Sequence, residues 1–345
     1  MHVSLANSGR GFSAAPGQSL LDAALAAGLN LPHSCKSGNC GSCRARLVAG
    51  RTEYPHGRPL GLSDGEAADG QILLCQACAC SDVTLETREV RAAHEVAIRR
   101  LPCRIEQAVP LSHDVMAVHL RLPAAEPFSF RPGQYIDVML DGGRRRSFSI
   151  ASPPQDSRFL ELHVRRVAGG EFTESLFTGS PQRMLLNIEG PLGQFTWRDS
   201  DAPVLMVGGG TGLAPLLAML RHATSGGLRG PITLYWGVRT AADLYRDELL
   251  RELARGVAGF RYVPVLSAPD AAWPGRRGLV HDAVLGDHAT LGGYDLYASG
   301  PPAMIAAVRT SFVQAGADPA RLYFDSFDYA PDALARQRSS ASTSA

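Results

Sequence analysis

Two patterns of apolar residues divide the chain. In the middle third, apolar and polar residues alternate in short runs separated by Pro-Gly and Asp-Gly turns. Such alternation predicts half-buried antiparallel strands, and several at this spacing predict an antiparallel barrel. The last third instead carries continuous apolar runs that end in glycines, which is typical of strands buried on both faces of a doubly wound parallel sheet. The predicted strands are 103–106, 115–122, 135–140 and 160–165 for the barrel, and 203–207, 232–237, 261–266, 294–298 and 322–329 for the parallel sheet.

The first 92 residues predict a smaller α+β sheet. Residues 3–5 and 12–14 form a hairpin pattern, and a short helix through Leu21 and Leu25 follows. Ser63 and Glu66 have the spacing of a helix capping box, and residues 82–86 alternate as a closing strand. This order is compatible with a β-grasp sheet.

The length of 345 residues is too great for one hydrophobic core, so two or three domains are expected. We expect a first domain over 1–92, a linker over 93–100, the barrel over 101–199, the parallel-sheet domain over 200–330 and a disordered tail over 331–345. A net charge of +1 gives no reason to expect nucleic acid or a membrane surface as a partner. With no long apolar run, no signal peptide and an odd number of cysteines, we expect a cytoplasmic protein. We also expect a monomer.

The cysteines carry the most specific chemical signal. Cys35, Cys40 and Cys43 follow a C-x4-C-x2-C spacing, and Cys75 lies downstream. This arrangement is typical of a plant-type [2Fe–2S] cluster, whereas a zinc ribbon usually has two C-x2-C pairs. Zinc or a buried group of structural thiols remains the alternative.

The residues around these cysteines suit a cluster. Gly38 and Gly41 allow backbone amides to approach the sulfurs, and the hydroxyls of Ser34, Ser37 and Ser42 are further candidate donors. Either Cys78 or Cys80 can compete with Cys75 as fourth ligand. The simpler interpretation of Cys78, Cys80 and Cys103 is that they are small buried apolar residues.

The cysteine segment resembles the ferredoxin domain of flavin-dependent electron-transfer proteins. Within the barrel, Arg146-Ser147-Phe148-Ser149 and the glycine loop starting at Gly169 resemble the two FAD-binding segments of the ferredoxin-NADP reductase superfamily. The resemblance implies that Arg146 binds the pyrophosphate, Phe148 stacks on the flavin and Ser149 lies near its reactive nitrogen. The other FAD-binding residues that it implies are Ser147, Gly169, Gly170, Phe172 and Thr173.

Two glycine clusters in the parallel-sheet domain resemble the NAD(P)H-binding segments of the same superfamily. The first comprises Gly208, Gly209, Gly210, Thr211, Gly212 and Pro215, and the second comprises Ser299, Gly300, Pro301 and Pro302. Ser299 stands where relatives commonly have cysteine, and the resemblance puts it beside the nicotinamide. Arg239 is a candidate for a 2′-phosphate, but Ser267-Ala268 lacks the Ser-Arg pair of many NADPH-specific relatives. We therefore expect NADH or NADPH, with a slight preference for NADH.

The resemblance also places Phe327 over the flavin, with Phe324 or Tyr329 as the alternative. The domain order is similar to that of the reductase components of bacterial multicomponent oxygenases and of CDP-6-deoxy-Δ3,4-glucoseen reductases. It implies electron transfer from NAD(P)H to FAD, to the cluster and then to an acceptor protein, either an oxygenase component or a deoxysugar dehydrase, with Ser149, Ser299 and Phe327 at the reacting centres. The alternative is a stand-alone flavin or quinone reductase whose ferredoxin domain serves for docking.

Overall fold

The computed structural model describes residues 1–29, 31–87, 97–124, 128–156 and 159–327. They form two compact units, one containing residues 1–87 with 324–327 and the other residues 97–323. Residues 93–96 of the predicted linker and all of the predicted tail at 331–345 lie outside the described residues. No helix within the described ranges is long and apolar enough to cross a bilayer.

The first unit contains a five-stranded mixed sheet with the strand order β2-β1-β7-β3-β5, and the short strands β4 and β6 form a separate ribbon. The predicted hairpin is confirmed as the antiparallel pair β1 and β2. The strands are β1 His2–Leu5, β2 Gly11–Ser13, β3 Arg44–Ala49, β4 Thr52–Glu53, β5 Gln71–Leu73, β6 Cys78–Ala79 and β7 Val83–Glu86, and the helices are α1 Leu20–Ala26 and α2 Asp64–Ala68.

Local sequence signals account for most of this unit. Ser19 caps α1 by accepting from the amide of Asp22, and Ser63 with Glu66 forms the predicted capping box of α2. The closing strand β7 occupies the centre of the sheet, parallel to β1 and antiparallel to β3. Val83 and Leu85 of this strand are buried in the unit's core, which explains its central place.

The first part of the second unit is a six-stranded antiparallel sheet with the order β11-β10-β13-β8-β9-β12. A bridge between Ile150 and Leu162 joins its two edges, so the sheet closes into the predicted barrel. Arg99 and Arg100 were assigned to the linker by sequence but belong to β8, where they pair with Gly190 and Glu189. The elements are β8 Arg99–Pro110, β9 Val115–Arg121, β10 Tyr135–Met139, β11 Arg145–Ser149, β12 Leu160–Arg165, α3 Glu171–Thr178 and β13 Leu185–Leu192.

The second part of this unit is the predicted parallel sheet, with the order β17-β16-β15-β14-β18-β19. The order reverses between β14 and β18, and ligands bind such sheets at the carboxyl ends of the strands next to this reversal. The strands are β14 Val204–Gly209, β15 Ile232–Val238, β16 Phe260–Leu266, β17 Arg276–Arg277, β18 Asp295–Gly300 and β19 Leu322–Ser326, and the helices are α4 Leu213–Ser225, α5 Asp247–Gly256, α6 Val280–Asp287 and α7 Pro302–Gln314.

Candidate functional site

The four predicted cluster thiols lie together in the first unit. The sulfurs of Cys43 and Cys75 are 3.2 Å apart, and the amide of Cys40 donates to the sulfur of Cys35 at 3.4 Å. Cys75 reaches Cys43 because β3 pairs with β5 and the amide of Leu74 donates to the carbonyl of Cys43 at 3.1 Å. A gathering of four soft thiol ligands, mostly buried, fits the requirements of an iron–sulfur cluster.

Close backbone packing shapes the loop between Cys35 and Cys43. Gly38 has a φ of 80°, and a Cβ added there would come within 2.7 Å of Pro59 and 2.8 Å of the Gln76 side chain. The Gln76 amide nitrogen also donates to the carbonyl of Lys36 at 2.8 Å. Lys36 itself has a positive φ of 56°, a conformation that lysine rarely adopts. Gln76 therefore ties the fourth cysteine segment to the loop that carries the other three.

Backbone amides approach the sulfurs as predicted, since Ser42 also donates from its amide to the Cys40 sulfur at 3.4 Å. The hydroxyl of Ser34 does not serve as a sulfur donor. It donates instead to a carboxylate oxygen of Asp325 at 2.9 Å, and both side chains are buried. No local signal in the sequence indicates this pair, because 291 positions separate the two residues.

The remaining cysteines lie apart from this group. Cys78 is buried in β6 opposite Glu53, and Cys103 is buried in β8, where burial raises the pKa of its thiol to about 12. The expectation of burial is wrong for Cys80, which is exposed just beyond the end of the two-residue strand β6. Among the described residues, Cys75 is the downstream cysteine that contacts the three-cysteine loop.

The predicted FAD residues follow β11 and the loop before α3. Phe148 and Phe172 pack with ring centroids 5.6 Å apart, while Arg146 is half-buried on the same side of β11 as Phe148. The Ser147 hydroxyl donates to Asp137 at 2.6 Å, and Ser149 is buried at the end of the strand.

The glycine loop before α3 is packed too closely for a side chain at Gly170. A Cβ at Gly170 would lie 2.5 Å from the hydroxyl oxygen of Thr173, and Gly169 has a φ of 71°. Thr173 Oγ1 accepts from the amide of Val167 at 3.1 Å, which holds the loop closed against the first turn of α3. A glycine loop at a helix start, with a half-buried arginine and an aromatic face on β11, fits a flavin dinucleotide.

The two predicted glycine clusters meet at the reversal of strand order. A Cβ at Gly212 would lie 2.0 Å from the Ser299 carbonyl oxygen, and one at Gly209 would lie 2.9 Å from Pro301. The hydroxyl of Ser299 is fully buried and has no hydrogen-bond partner among the described residues. A buried hydroxyl without a partner costs about 1–3 kcal/mol, which is consistent with a ligand-binding position.

Arg165 is a basic residue at this place that sequence reasoning missed. Its guanidinium lies 3.5 Å from the position that a Cβ at Gly210 would occupy, although Arg165 belongs to β12 of the barrel. Arg239 follows β15 and is exposed. Phe327 is half-buried and groups with the first unit, while Tyr329 lies outside the described residues.

A buried ionic cluster joins the barrel to the parallel sheet within the second unit. Glu161 of β12 accepts from Arg221 of α4 at 2.9 Å and from Arg246, which precedes α5. His163 lies 3.0 Å from Glu161 and 3.2 Å from the Tyr245 hydroxyl. Although burial opposes it, the hydrogen bond from His163 and the two arginine charges lower the pKa of Glu161, whereas burial lowers the pKa of His163.

We expect acid to weaken this unit through His163. Since the pKa of His163 is lowered in the folded chain, the unfolded chain binds more protons below about pH 6.5. The contribution of His163 to the free energy of unfolding is therefore complete above that pH. Below it, the free energy of unfolding decreases by up to about 1.4 kcal/mol per pH unit. All three tryptophans lie in this unit, so urea unfolding followed by tryptophan fluorescence measures the effect.

The matched variants are His163→Gln, which should flatten the pH dependence between pH 7 and 5.5, and His222→Gln, which changes a half-buried histidine of α4 outside this cluster and should not. Equal pH dependence in the parent and in His163→Gln would refute the role given to His163.

Comparisons with known proteins agree with this geometry. The family model for a 2Fe-2S iron-sulfur cluster binding domain matches residues 3–80. The model for an oxidoreductase FAD-binding domain matches residues 102–197, and that for an oxidoreductase NAD-binding domain matches residues 206–310. The chain thus has binding domains for a [2Fe–2S] cluster, FAD and NAD(P)H.

Similar proteins share this architecture over nearly their whole length. Protein RfbI of Salmonella typhimurium is 38% identical over 92% of this chain and 93% of its own length. CDP-6-deoxy-L-threo-D-glycero-4-hexulose-3-dehydrase reductase of Yersinia pestis is 35% identical over 95% and 98% of the two chains. The crystal structure of Amycolatopsis cytochrome P450 reductase GcoB is 36% identical, has a TM-score of 0.76 and covers 94% of this chain and 98% of that one. The chain belongs to the ferredoxin-NADP reductase superfamily, as an NAD(P)H-dependent iron–sulfur flavoprotein reductase with an N-terminal plant-type ferredoxin domain.

Proposed function

We propose that Cys35, Cys40, Cys43 and Cys75 hold the [2Fe–2S] cluster and that electrons leave this site for a separate acceptor protein. The observation that carries this proposal is the gathering of these thiols, with Cys43 and Cys75 in sulfur contact. When bound, the cofactors convert a hydride from the nicotinamide into single electrons. The acceptor is a deoxysugar dehydrase or an oxygenase component, the two kinds of system in which related reductases act.

In this proposal, the chain's own residues bind and orient the FAD. Arg146 holds the FAD pyrophosphate, Phe148 covers one face of the flavin and the buried Ser149 offers a hydroxyl at the end of β11. Gly169, Gly170, Phe172 and Thr173 form the loop and helix start at the phosphates. Phe327 covers the flavin face at which the nicotinamide must arrive, and Ser147 supports β11 through Asp137.

The NAD(P)H site is proposed at the reversal between β14 and β18. The loop 208–212 approaches the pyrophosphate through backbone, and Pro215 lies buried in the first turn of α4. Ser299 to Pro302 flank the nicotinamide. Arg165, positioned over Gly210, adds a positive charge where the dinucleotide phosphates would lie.

The geometry near Arg239 bears on the choice of dinucleotide. Burial would raise the pKa of Asp243, but hydrogen bonds from Thr240 and the charges of Arg239 and His113 hold it below its usual range. Asp243 is therefore ionised close to Arg239 and weakens the attraction of this arginine for a 2′-phosphate. We propose that NADH is preferred and that NADPH is also used.

Replacing Arg239 with alanine should lower kcat/KM for NADPH by about tenfold, since a hydrogen bond to a charged group contributes about 1.5–3 kcal/mol. The value for NADH should stay within about twofold. Arg229→Ala is the matched control, because this arginine precedes β15 at the opposite end of the sheet. Equal losses with both dinucleotides in Arg239→Ala would contradict the proposed role.

The acceptor proposal is tested by reconstitution. Purified reductase, NADH and a purified dehydrase or oxygenase component should give acceptor turnover that disappears when the cluster is removed. A stand-alone flavin or quinone reductase would instead keep its full activity without the cluster. We further propose a monomer that works in the cytoplasm, and sedimentation analysis of the holoprotein tests the monomer.

A further inference from the structure

The hydrogen bond between Ser34 and Asp325 joins two distant parts of the chain beside the cysteine loop. Ser34 Oγ donates to Asp325 Oδ1 at 2.9 Å, and the two residues are 2% and 4% exposed. Ser34 directly precedes Cys35, the first of the four thiols. Asp325 arrives with the segment 324–327, which groups with the first unit although it follows the parallel-sheet domain in sequence.

We propose that Asp325 is a positioning residue of the iron–sulfur site that fixes Ser34 and keeps the reduction potential of the cluster low. The proposal rests on the assignment of the cluster to Cys35, Cys40, Cys43 and Cys75. It assigns a role in electron transfer to a residue outside the set of four cysteines.

Charge is the first reason. A buried carboxylate is poorly screened, and its interaction with a nearby charge is several times stronger than in water. Reduction adds one negative charge to the cluster, and net charge, hydrogen bonding and burial set the potential of such clusters. An ionised Asp325, held by the residue that precedes Cys35, would therefore disfavour the reduced form.

The use of the Ser34 hydroxyl is the second reason. A hydroxyl that donates a hydrogen bond to a sulfur stabilises the reduced cluster, but the Ser34 hydroxyl donates its hydrogen bond to Asp325. The same contact thus supplies a negative charge and withdraws a donor. Both effects lower the potential.

The position of the segment is the third reason. Phe327, proposed to cover the flavin, lies two residues after Asp325, and Ser34 is bonded to Cys35. The hydrogen bond ties the segment 324–327 to the cluster loop within the first unit. Loss of the contact should therefore disturb the properties of the cluster.

The test is a redox titration of the purified holoprotein, with the reduced cluster measured by EPR. Asp325→Asn removes the charge and keeps an acceptor for Ser34. At a fixed ambient potential near the parent midpoint, its ratio of reduced to oxidised cluster should rise about tenfold, which is about 59 mV for one electron. Ser34→Ala keeps the carboxylate and returns no donor to a sulfur, so its ratio should stay within about threefold of the parent.

Asp82→Asn is the matched control, because it removes an equal charge from the same unit at an exposed position that accepts from the His2 amide. Its ratio should stay within about twofold of the parent. A ratio in Asp325→Asn equal to that of this control would overturn the proposal. If Asp325→Asn loses iron, Asp325→Ser is measured in its place, and loss of iron in both neutral variants would assign Asp325 a purely structural role and also overturn it.

The EPR signal of the reduced parent protein distinguishes a failure of this inference from a failure of the proposed function. A reduced parent without a [2Fe–2S] EPR signal would refute the cluster assignment itself. A parent with the signal and an unshifted Asp325→Asn variant would refute only the role of Asp325.

Discussion

Replacing Cys75 with serine is expected to abolish the EPR signal of the reduced cluster and to lower cytochrome c reduction by NADH on the order of 100-fold. Cys75 is buried, and its sulfur contacts that of Cys43 at 3.2 Å. A serine oxygen is a harder ligand than a thiolate and suits iron–sulfur chemistry poorly. Ferricyanide reduction, which needs only the flavin, should remain within about twofold of the parent.

The two nearby cysteines provide the controls for Cys75. Cys78 lies in the β4–β6 ribbon opposite Glu53, and Cys80 is exposed. Serine at either position should leave the EPR signal and cytochrome c reduction nearly unchanged. If Cys78→Ser behaves as a cluster knockout and Cys75→Ser does not, the fourth ligand is Cys78 and the assignment is wrong.

Replacing Ser299 with leucine is expected to slow flavin reduction by NADH by about 100-fold, because a misplacement of about 1 Å in a reacting pair can cost that much. Ser299 is fully buried at the carboxyl end of β18, and its carbonyl already lies against Gly212. A leucine side chain can extend only into the space proposed for the nicotinamide or into packed backbone. Anaerobic stopped-flow measurement of flavin bleaching gives the rate.

Two companion variants separate a blocked site from a damaged fold. Ser299→Ala removes the unpartnered hydroxyl without adding volume, and Ser299→Cys restores the residue common in relatives. Ser299→Ala should retain at least about a third of the parental rate, and Ser299→Cys should keep or modestly raise it. All variants should retain FAD and the cluster. A leucine variant that holds both cofactors and reduces its flavin at the parental rate would show that residue 299 does not face the nicotinamide.

Local physical signals account for the parts of the fold and site that the sequence predicted. Alternation placed Cys103 and Ile105 in the barrel interior, and the Ser63 capping box located α2. Glycines with positive φ shape the loop of Cys35 to Cys43, and the spacing of its cysteines indicated the ligand chemistry. In each case the cause lies within a few residues of its effect.

Long-range pairings account for what the sequence did not predict. Arg100 extends β8 because Glu189 lies opposite it, 89 residues away. Glu161 gathers Arg221 and Arg246 from two later helical segments, and Arg165 reaches the glycine loop from another domain. In the sequence alone, each of these arginines has the pattern of an ordinary exposed residue. Their partners are determined by topology, which no local periodicity encodes.

Anaerobic titration of the purified holoprotein with NADH tests the central claim most directly. Iron, FAD and chain concentration are determined first, and flavin absorbance and the cluster's EPR signal are then followed in the same sample. The account predicts one FAD and one [2Fe–2S] cluster per chain, with NADH bleaching the flavin and producing a reduced-cluster signal that is absent in Cys75→Ser. Bound zinc in place of iron, or a bleached flavin with no cluster signal in the parent, would contradict it.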